Sequence, residues 1–180
     1  SSFILAMFVQ GKYQAYVEPA KPKYTKDPVK WFDNCIWPLE WSRTYSEVLP
    51  NSGSSKQWCE DRIEQRPKVS EIAIHMKLVA KSEGRHGLVA MNFQIPYRIA
   101  YIRTIDKILI NPIVESVSMD TKDCLERSTQ SSQVVRKTGR FTSLRVSYLD
   151  EHSFVRKEID LSGAESCIIQ SLLDDMLGMV

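Results

Sequence analysis

"GLVAMNFQIPYRIAYIRT", residues 87–104, followed by "KILINPIVESVSM", residues 107–119, decides how this chain reads. Both stretches are rich in Ile, Val and Tyr, with Pro96 and Pro112 as punctuation. β-Branched and aromatic side chains suit a pleated, half-buried surface, so both read as strands. Three further strands are expected downstream: "SSQVVRKTG" at 131–139, "FTSLRVSYLD" at 141–150 and "SFVRKEIDL" at 153–161. Asp150-Glu151-His152-Ser153 between the last two suits a hairpin turn, with His152 solvated at its tip.

Helices flank this block. "RPKVSEIAIHMKLVAKSEG", 66–84, places Val69, Ile72, Ala73, Met76 and Val79 at helical spacing. Pro67 suits the first turn and Gly84 the position just past the end. His75 and Lys77 fall off the apolar face, so His75 is read as a surface residue. At the other end Ile168, Ile169, Leu172, Leu173, Met176 and Leu177 recur every three or four residues, with Gly178 to close the helix. Ser162-Gly163-Ala164-Glu165 has the S-x-x-E spacing of a capping box. The order of arm, helix, strands and helix predicts an α+β fold with segregated elements.

Residues 1–65 differ from the rest. They hold five of the eight prolines and all four tryptophans, Trp31, Trp37, Trp41 and Trp58, with a polar turn expected at "PNSGSSKQ", 50–57. Proline at this density breaks regular elements. The stretch reads as an irregular arm draped over a surface, its own or a partner's. Lys12, Lys21, Lys23, Lys26 and Lys30 alternate with Tyr13, Tyr16, Tyr24 and Trp31, which suits RNA phosphates and stacked bases and equally a protein surface.

Composition adds bounds. The formal net charge of the 180 residues is +2, so charge alone does not argue for nucleic acid. No apolar run reaches the roughly 18 residues of a membrane span. Cys35, Cys59, Cys124 and Cys167 form no C-x-x-C pair and no zinc-finger spacing, and read as four reduced thiols in an intracellular or organellar compartment. The missing initial Met fits a processed chain, as after removal of a transit peptide, and equally a shortened one.

From Arg66 to Val180 the motifs resemble peptide deformylase, the metallohydrolase that removes formyl from the first methionine of bacterial and organellar proteins. "IPYRIAYI" is similar to that family's "VPLRIAVI", and "ILINPIV" to "ILINPEIV". The family motif GxGxAAxQ falls on 85–92, where Gly87, Leu88 and Ala90 agree, Arg85 replaces the first Gly, and Asn92 replaces the Gln that hydrogen-bonds substrate. EGCLS falls on Lys122-Asp123-Cys124-Leu125-Glu126. There Cys124 takes the place of a metal ligand and the amide of Leu125 that of an oxyanion donor. The helix motif HExxDH, placed with one gap, puts Ser171 and Asp175 at the ligand histidines and Leu172 at the catalytic Glu, while Gln170, Asp174 and Gly178 agree. "RSTQSSQ", 127–133, reads as a small inserted loop.

The resemblance implies an α+β fold of antiparallel or mixed sheets around a central C-terminal helix, with residues 1–65 as an arm and 66–180 as the deformylase-like domain. The family's chemistry needs three ligands, an open position for water, and a Glu to carry the proton. The substitutions at Ser171, Leu172 and Asp175 imply loss of that chemistry, so no catalytic residue, cofactor, metal or small-molecule substrate is expected. The resulting expectation is a structural or interaction protein, a component or assembly factor of the mitochondrial ribosome in the mitochondrial matrix. Its arm would contact mitochondrial ribosomal proteins or rRNA, and no membrane. Two alternatives stay open. One is a hydrolase with an altered site, holding a metal or a thiolate nucleophile on Cys124 and Asp175 with Asp174 or His86. The other is a peptide-binding pseudoenzyme that uses the Leu125 amide and the strand after Met91.

Overall fold

The computed structural model describes residues 33, 35–39, 53–62, 64, 66–128 and 131–176. In chain order the elements are α1 (Gly53–Asp61), α2 (Arg66–Glu83), β1 (Gly87–Val89), β2 (Ile99–Ile102), β3 (Lys107–Val117), β4 (Thr121–Ser128), β5 (Ser131–Phe141), β6 (Ser143–Leu149), β7 (Arg156–Ser162) and α3 (Gly163–Met176). One antiparallel sheet runs β1-β2-β3-β6-β7, and β4 and β5 pair with each other as a separate two-stranded ribbon. This is the expected α+β layout.

Strand alternation explains the layering. Leu88, Ile99, Tyr101, Ile108 and Ile110 pack with Val69, Ala73, Met76 and Ala80 of α2. Their neighbours Val89, Ala100, Ile102 and Leu109 pack with Ile169, Leu172, Leu173 and Met176 of α3. Successive side chains of a strand point to opposite faces, so these strands are covered on both sides and read as continuous apolar runs. Helix α3 touches β1, β2, β4, β5, β6 and β7, which makes it the central element.

Helix α2 matches its expected span. Gly84 has φ 65°, and the Arg85 amide donates to the Ala80 carbonyl at 2.9 Å, the six-to-one bond of a Schellman end. His75 is exposed and meets Phe93 edge to face, with ring centroids 4.6 Å apart. The turn between β6 and β7 is the expected hairpin, and His152 is exposed there.

Several expectations are corrected. Residues 53–57 of the polar stretch begin helix α1 rather than form a turn, and residues 50–52 lie outside the described residues. Its Gly and Ser residues are weak helix formers, but the Gln57 amide donates to Asp61 at 2.8 Å and Cys59 is bonded to Cys35, which anchors the helix to the core. In "RSTQSSQ", read as a small loop, Arg127 and Ser128 end β4 and residues 131–133 begin β5, while 129–130 lie outside the described residues. Gly163 has φ 58°, far from the helical value, so the chain enters α3 through a left-handed glycine, and Ser162 is the last residue of β7 instead of a helix cap.

The four cysteines are not free thiols: Cys35 pairs with Cys59 and Cys124 with Cys167. Spacing could not signal this, because partners 24 and 43 residues apart meet only once sheet and helix have packed.

Part of the arm belongs to this fold. Cys35, Ile36 and Trp37 are buried, and Pro38 bridges Tyr97 as an antiparallel partner. The Arg98 amide donates to the Trp37 carbonyl at 2.9 Å, and the Leu39 amide to the Pro96 carbonyl at 3.3 Å. Asn111 clamps this segment. Its Oδ1 accepts from the Trp37 amide at 2.7 Å and its Nδ2 donates to the Cys35 carbonyl at 2.9 Å. Asn111 has φ 51° at an irregularity in β3 next to Pro112, a backbone state that Asn tolerates and a place where Pro is allowed. Trp31, Trp41 and the five arm lysines lie outside the described residues.

Arg98 is fully buried beside this clamp, and its Nη2 donates to the Pro112 carbonyl at 2.9 Å. Burial, and then the charge of Arg156, bring its pKa down to about 10, so it stays cationic at neutral pH.

The β6–β7 turn carries a pH-dependent contribution. The Asp150 carboxylate accepts from the Ser153 amide at 2.9 Å and the His152 amide at 3.0 Å. Its pKa falls from 3.8 to about 2, chiefly through the Ser153 amide, opposed by burial and aided by the His152 amide and Lys157. The folded value lies below the unfolded one, so this contribution is complete above pH 3.8 and is lost as pH falls toward 2. Asp150→Asn should lower stability by about 1 kcal/mol at neutral pH and flatten the acid limb, as read by urea denaturation at pH 7 and pH 3.

Candidate functional site

Helix α3 approaches β1 closely because residue 87 has no side chain. A Cβ placed there would lie 2.7 Å from Ile168 Cγ2 and 2.9 Å from Leu172 Cδ1. Leu172, aligned with the family's catalytic Glu, is 2% exposed and belongs to the apolar cluster between sheet and helix. It has no atom that can take a proton.

A cleft of about 530 Å³ opens beside this contact. Val79 and Glu83 of α2, Leu88 of β1, the turn residues Met91, Asn92 and Phe93, and Asp175 of α3 line it. The first motif and the helix motif therefore meet at one cleft. Asn92 bends back on its own turn, and its Oδ1 accepts from the Val89 amide at 3.0 Å. Arg85 pairs with Glu83 at 2.8 Å on the rim.

The other candidate residues are held elsewhere. Cys124 on β4 is bonded to Cys167 on α3, one helical turn before Ser171, which is half-buried. Leu125 is 78% exposed on the ribbon. His86 is exposed before β1, with its carbonyl accepting from the Arg103 amide. The Cys124 sulfur is spent in its bond to Cys167, so it cannot form a nucleophile pair with His86.

Asp174 and Gln170, which keep the family's residue types, do structural work. The Arg140 guanidinium is fully buried. It donates to Glu126 through Nε and Nη2 at 2.5 and 2.8 Å, and to Asp174 through Nη1 at 2.7 Å. Glu126, Arg140 and Asp174 come from β4, β5 and α3. Gln170 meets the backbone of Phe141 as a strand would. Its Oε1 accepts from the Phe141 amide and its Nε2 donates to the Phe141 carbonyl, both at 2.9 Å. Ser166 Oγ donates to that carbonyl at 2.6 Å. Sequence reasoning missed Arg140 and Glu126. Their signal was faint: charged residues at alternate positions of a ribbon whose apolar content is low.

A catalytic zinc-type site needs three donors and an open position. Here the sulfur at the Cys position is disulfide-bonded, Ser171 offers a neutral hydroxyl, and only Asp175 keeps a suitable donor. Among the described residues no three His, Cys, Asp or Glu side chains are grouped to hold an ion. The residues present do not fit the family's metal.

The polypeptide deformylase family model matches residues 53–180. The chain belongs to the peptide deformylase family. No curated protein matches its sequence. Among solved structures, the K2U-bound class I type b peptide deformylase of Acinetobacter baumannii is similar at 17% identity and TM-score 0.60, over 89% of this chain and 96% of that one. The peptide deformylase of Vibrio parahaemolyticus bacteriophage VP16T, in complex with actinonin, is similar at 20% identity and TM-score 0.58, over 62% and 82%. The inhibitor complex of Plasmodium falciparum peptide deformylase gives 22% identity and TM-score 0.57, over 62% and 70%. These structures share the deformylase fold. The family match begins at residue 53, so it takes in helix α1 as well as the stretch from Arg66 onward.

The buried triad yields a test. Arg140→Ala would leave Glu126 and Asp174 buried without their cation, at a cost of about 3–5 kcal/mol. Arg145→Ala, which breaks an exposed pair with Asp160, should change stability little. Urea midpoints of the two variants check the contrast.

Proposed function

We propose that this deformylase-fold protein is non-catalytic and serves as a structural or interaction subunit. The observation that carries the reading is the burial of Leu172 over Gly87, at the position where the family keeps its proton carrier. The disulfide at Cys124 supports it, since a sulfur bonded to carbon and sulfur is no thiolate ligand. Losing a general base alone removes about 10² to 10⁴ in rate. Losing the ion removes the nucleophile and the Lewis acid as well.

The partner is proposed to be the mitochondrial ribosome or one of its assembly particles, in the mitochondrial matrix. Deformylases act on nascent chains, and a chain that keeps their fold without their site suits ribosome-associated work. This step is analogy from fold. The two disulfides weigh toward an oxidising setting and so against the matrix; protease protection in fractionated mitochondria tests the compartment separately, and recovery outside the matrix overturns it. Gradient-separated mitochondrial ribosomes and their precursors should contain the protein, and purified protein should not turn over formyl-Met peptides. Absence from every ribosomal fraction overturns the partner, and metal-dependent turnover overturns the non-catalytic reading.

A second reading rests on the cleft. Leu88, Met91 and Phe93 offer an apolar lining with Asp175 at one side, which suits the first residue of a peptide with a free amine. Titration with formylated and unformylated Met peptides separates the readings. Binding of the unformylated peptide that Asp175→Asn weakens supports this one, and no binding of either leaves the structural role alone.

A further inference from the structure

We propose that the Cys124–Cys167 disulfide is a reducible latch that fastens the β4–β5 ribbon to helix α3, and that a dithiol reductant opens it while Cys35–Cys59 stays closed. The proposal does not depend on the functional reading above.

The ribbon's position makes its attachment a separate matter from the core. Strands β4 and β5 share no ladder with the five-stranded sheet. At the ribbon's base, the Ser118 and Thr142 hydroxyls meet at 3.0 Å, Lys122 Nζ donates to the Gly163 carbonyl at 2.8 Å, and Phe141 is held by Gln170 and Ser166. Farther along β4, the fastenings to α3 among the described residues are the Cys124–Cys167 bond and the Glu126–Arg140–Asp174 triad. The disulfide is thus the covalent part of the fastening, and its removal leaves only non-covalent contacts against α3: the ion triad, the Phe141 clamp and the Lys122–Gly163 bond.

The two disulfides differ in access. Cys35 and Cys59 are 0% and 1% exposed under Trp37 and Ile113. Cys124 is 3% exposed, whereas Cys167 is half-buried on α3. Exchange requires a thiolate to reach a sulfur. Of the four cysteines, Cys167 is the one that is not buried, so its sulfur is taken as the point of attack.

The step balances as an ordinary dithiol exchange. A thiolate of the reductant bonds to Cys167 Sγ, the S–S bond breaks, and Cys124 leaves as a thiolate. The second thiol of the reductant, deprotonated, attacks its own sulfur in the mixed disulfide, and Cys167 leaves as a thiolate. Both thiolates take up protons. The protein disulfide gains two electrons and the reductant departs as its own disulfide.

The test uses the full chain in native buffer, titrated with dithiothreitol. Thiols are counted and located by maleimide labelling with mass spectrometry, and amide exchange is followed along the chain. The expected result is two thiols, at Cys124 and Cys167, released before the other pair. Exchange in residues 121–141 should then rise several-fold, while residues 99–110 stay unchanged. C124S/C167S should exchange like the reduced protein and ignore the reductant. Release of all four thiols together, release of Cys35–Cys59 first, no release short of unfolding, or an unchanged ribbon after selective reduction would each overturn the latch. If the double variant does not fold, the wild-type titration still decides.

Discussion

Helix α3 lies as close to β1 as it does because residue 87 lacks a Cβ, and much of the structure is arranged around that approach. With a methyl there, Ile168 and Leu172 would have to retreat by several tenths of an ångström in a region where both faces of the sheet are already packed. The retreat would spread, because α3 also holds β4, β5, β6 and β7. One small residue thus sets how sheet, ribbon and central helix share a core. The same approach gives Leu172 its surroundings. A side chain at that point of the helix faces apolar atoms from the sheet, and leucine answers that setting with about 1.5–3 kcal/mol of burial.

Polar residues on α3 complement this contact. Gln170, Ser166 and Asp174 are buried, and each is spent on the ribbon: Gln170 and Ser166 on the backbone of Phe141, Asp174 on Arg140. A buried amide or carboxylate without a partner would cost more than these bonds return. Gln170 and Asp174, which keep the family's residue types, are therefore residues that connect elements, and Leu177 and Gly178 lie outside the described residues. The three positions that depart from the family, Ser171, Leu172 and Asp175, are those aligned with chemistry. The ribbon is held to α3 by a disulfide, a buried ion triad and the hydrogen bonds to the Phe141 backbone.

The N-terminal segment 35–39 shows the arm lying on its own domain. Proline and tryptophan marked the first 65 residues as an arm, yet Cys35, Ile36 and Trp37 are as buried as the sheet. Proline blocks helix and ladder but does not prevent a single bridge, and Pro38 makes one with Tyr97. The clamp comes from Asn111, whose left-handed backbone turns its amide toward residues more than seventy positions earlier. Nothing within a local window of the sequence carries that information.

Helix α2, the strands on either side of Pro96 and Pro112, the β6–β7 turn and the apolar face of α3 could be read from the chain, because periodicity and turn chemistry are local. The motif frame was legible for the same reason: Gly87, Gln170 and Asp174 stand at fixed spacings within single elements. The disulfide partners, the Glu126–Arg140–Asp174 triad, helix α1 and the burial of 35–39 were decided only by tertiary structure. Each joins residues from different elements, and the free energy that selects such pairs arises when packed surfaces exclude water, which no local pattern records. So the sequence by itself determined which elements form and which family frame they follow, while tertiary packing decided that the Cys124 sulfur bonds to Cys167 and that Leu172 lies in the core.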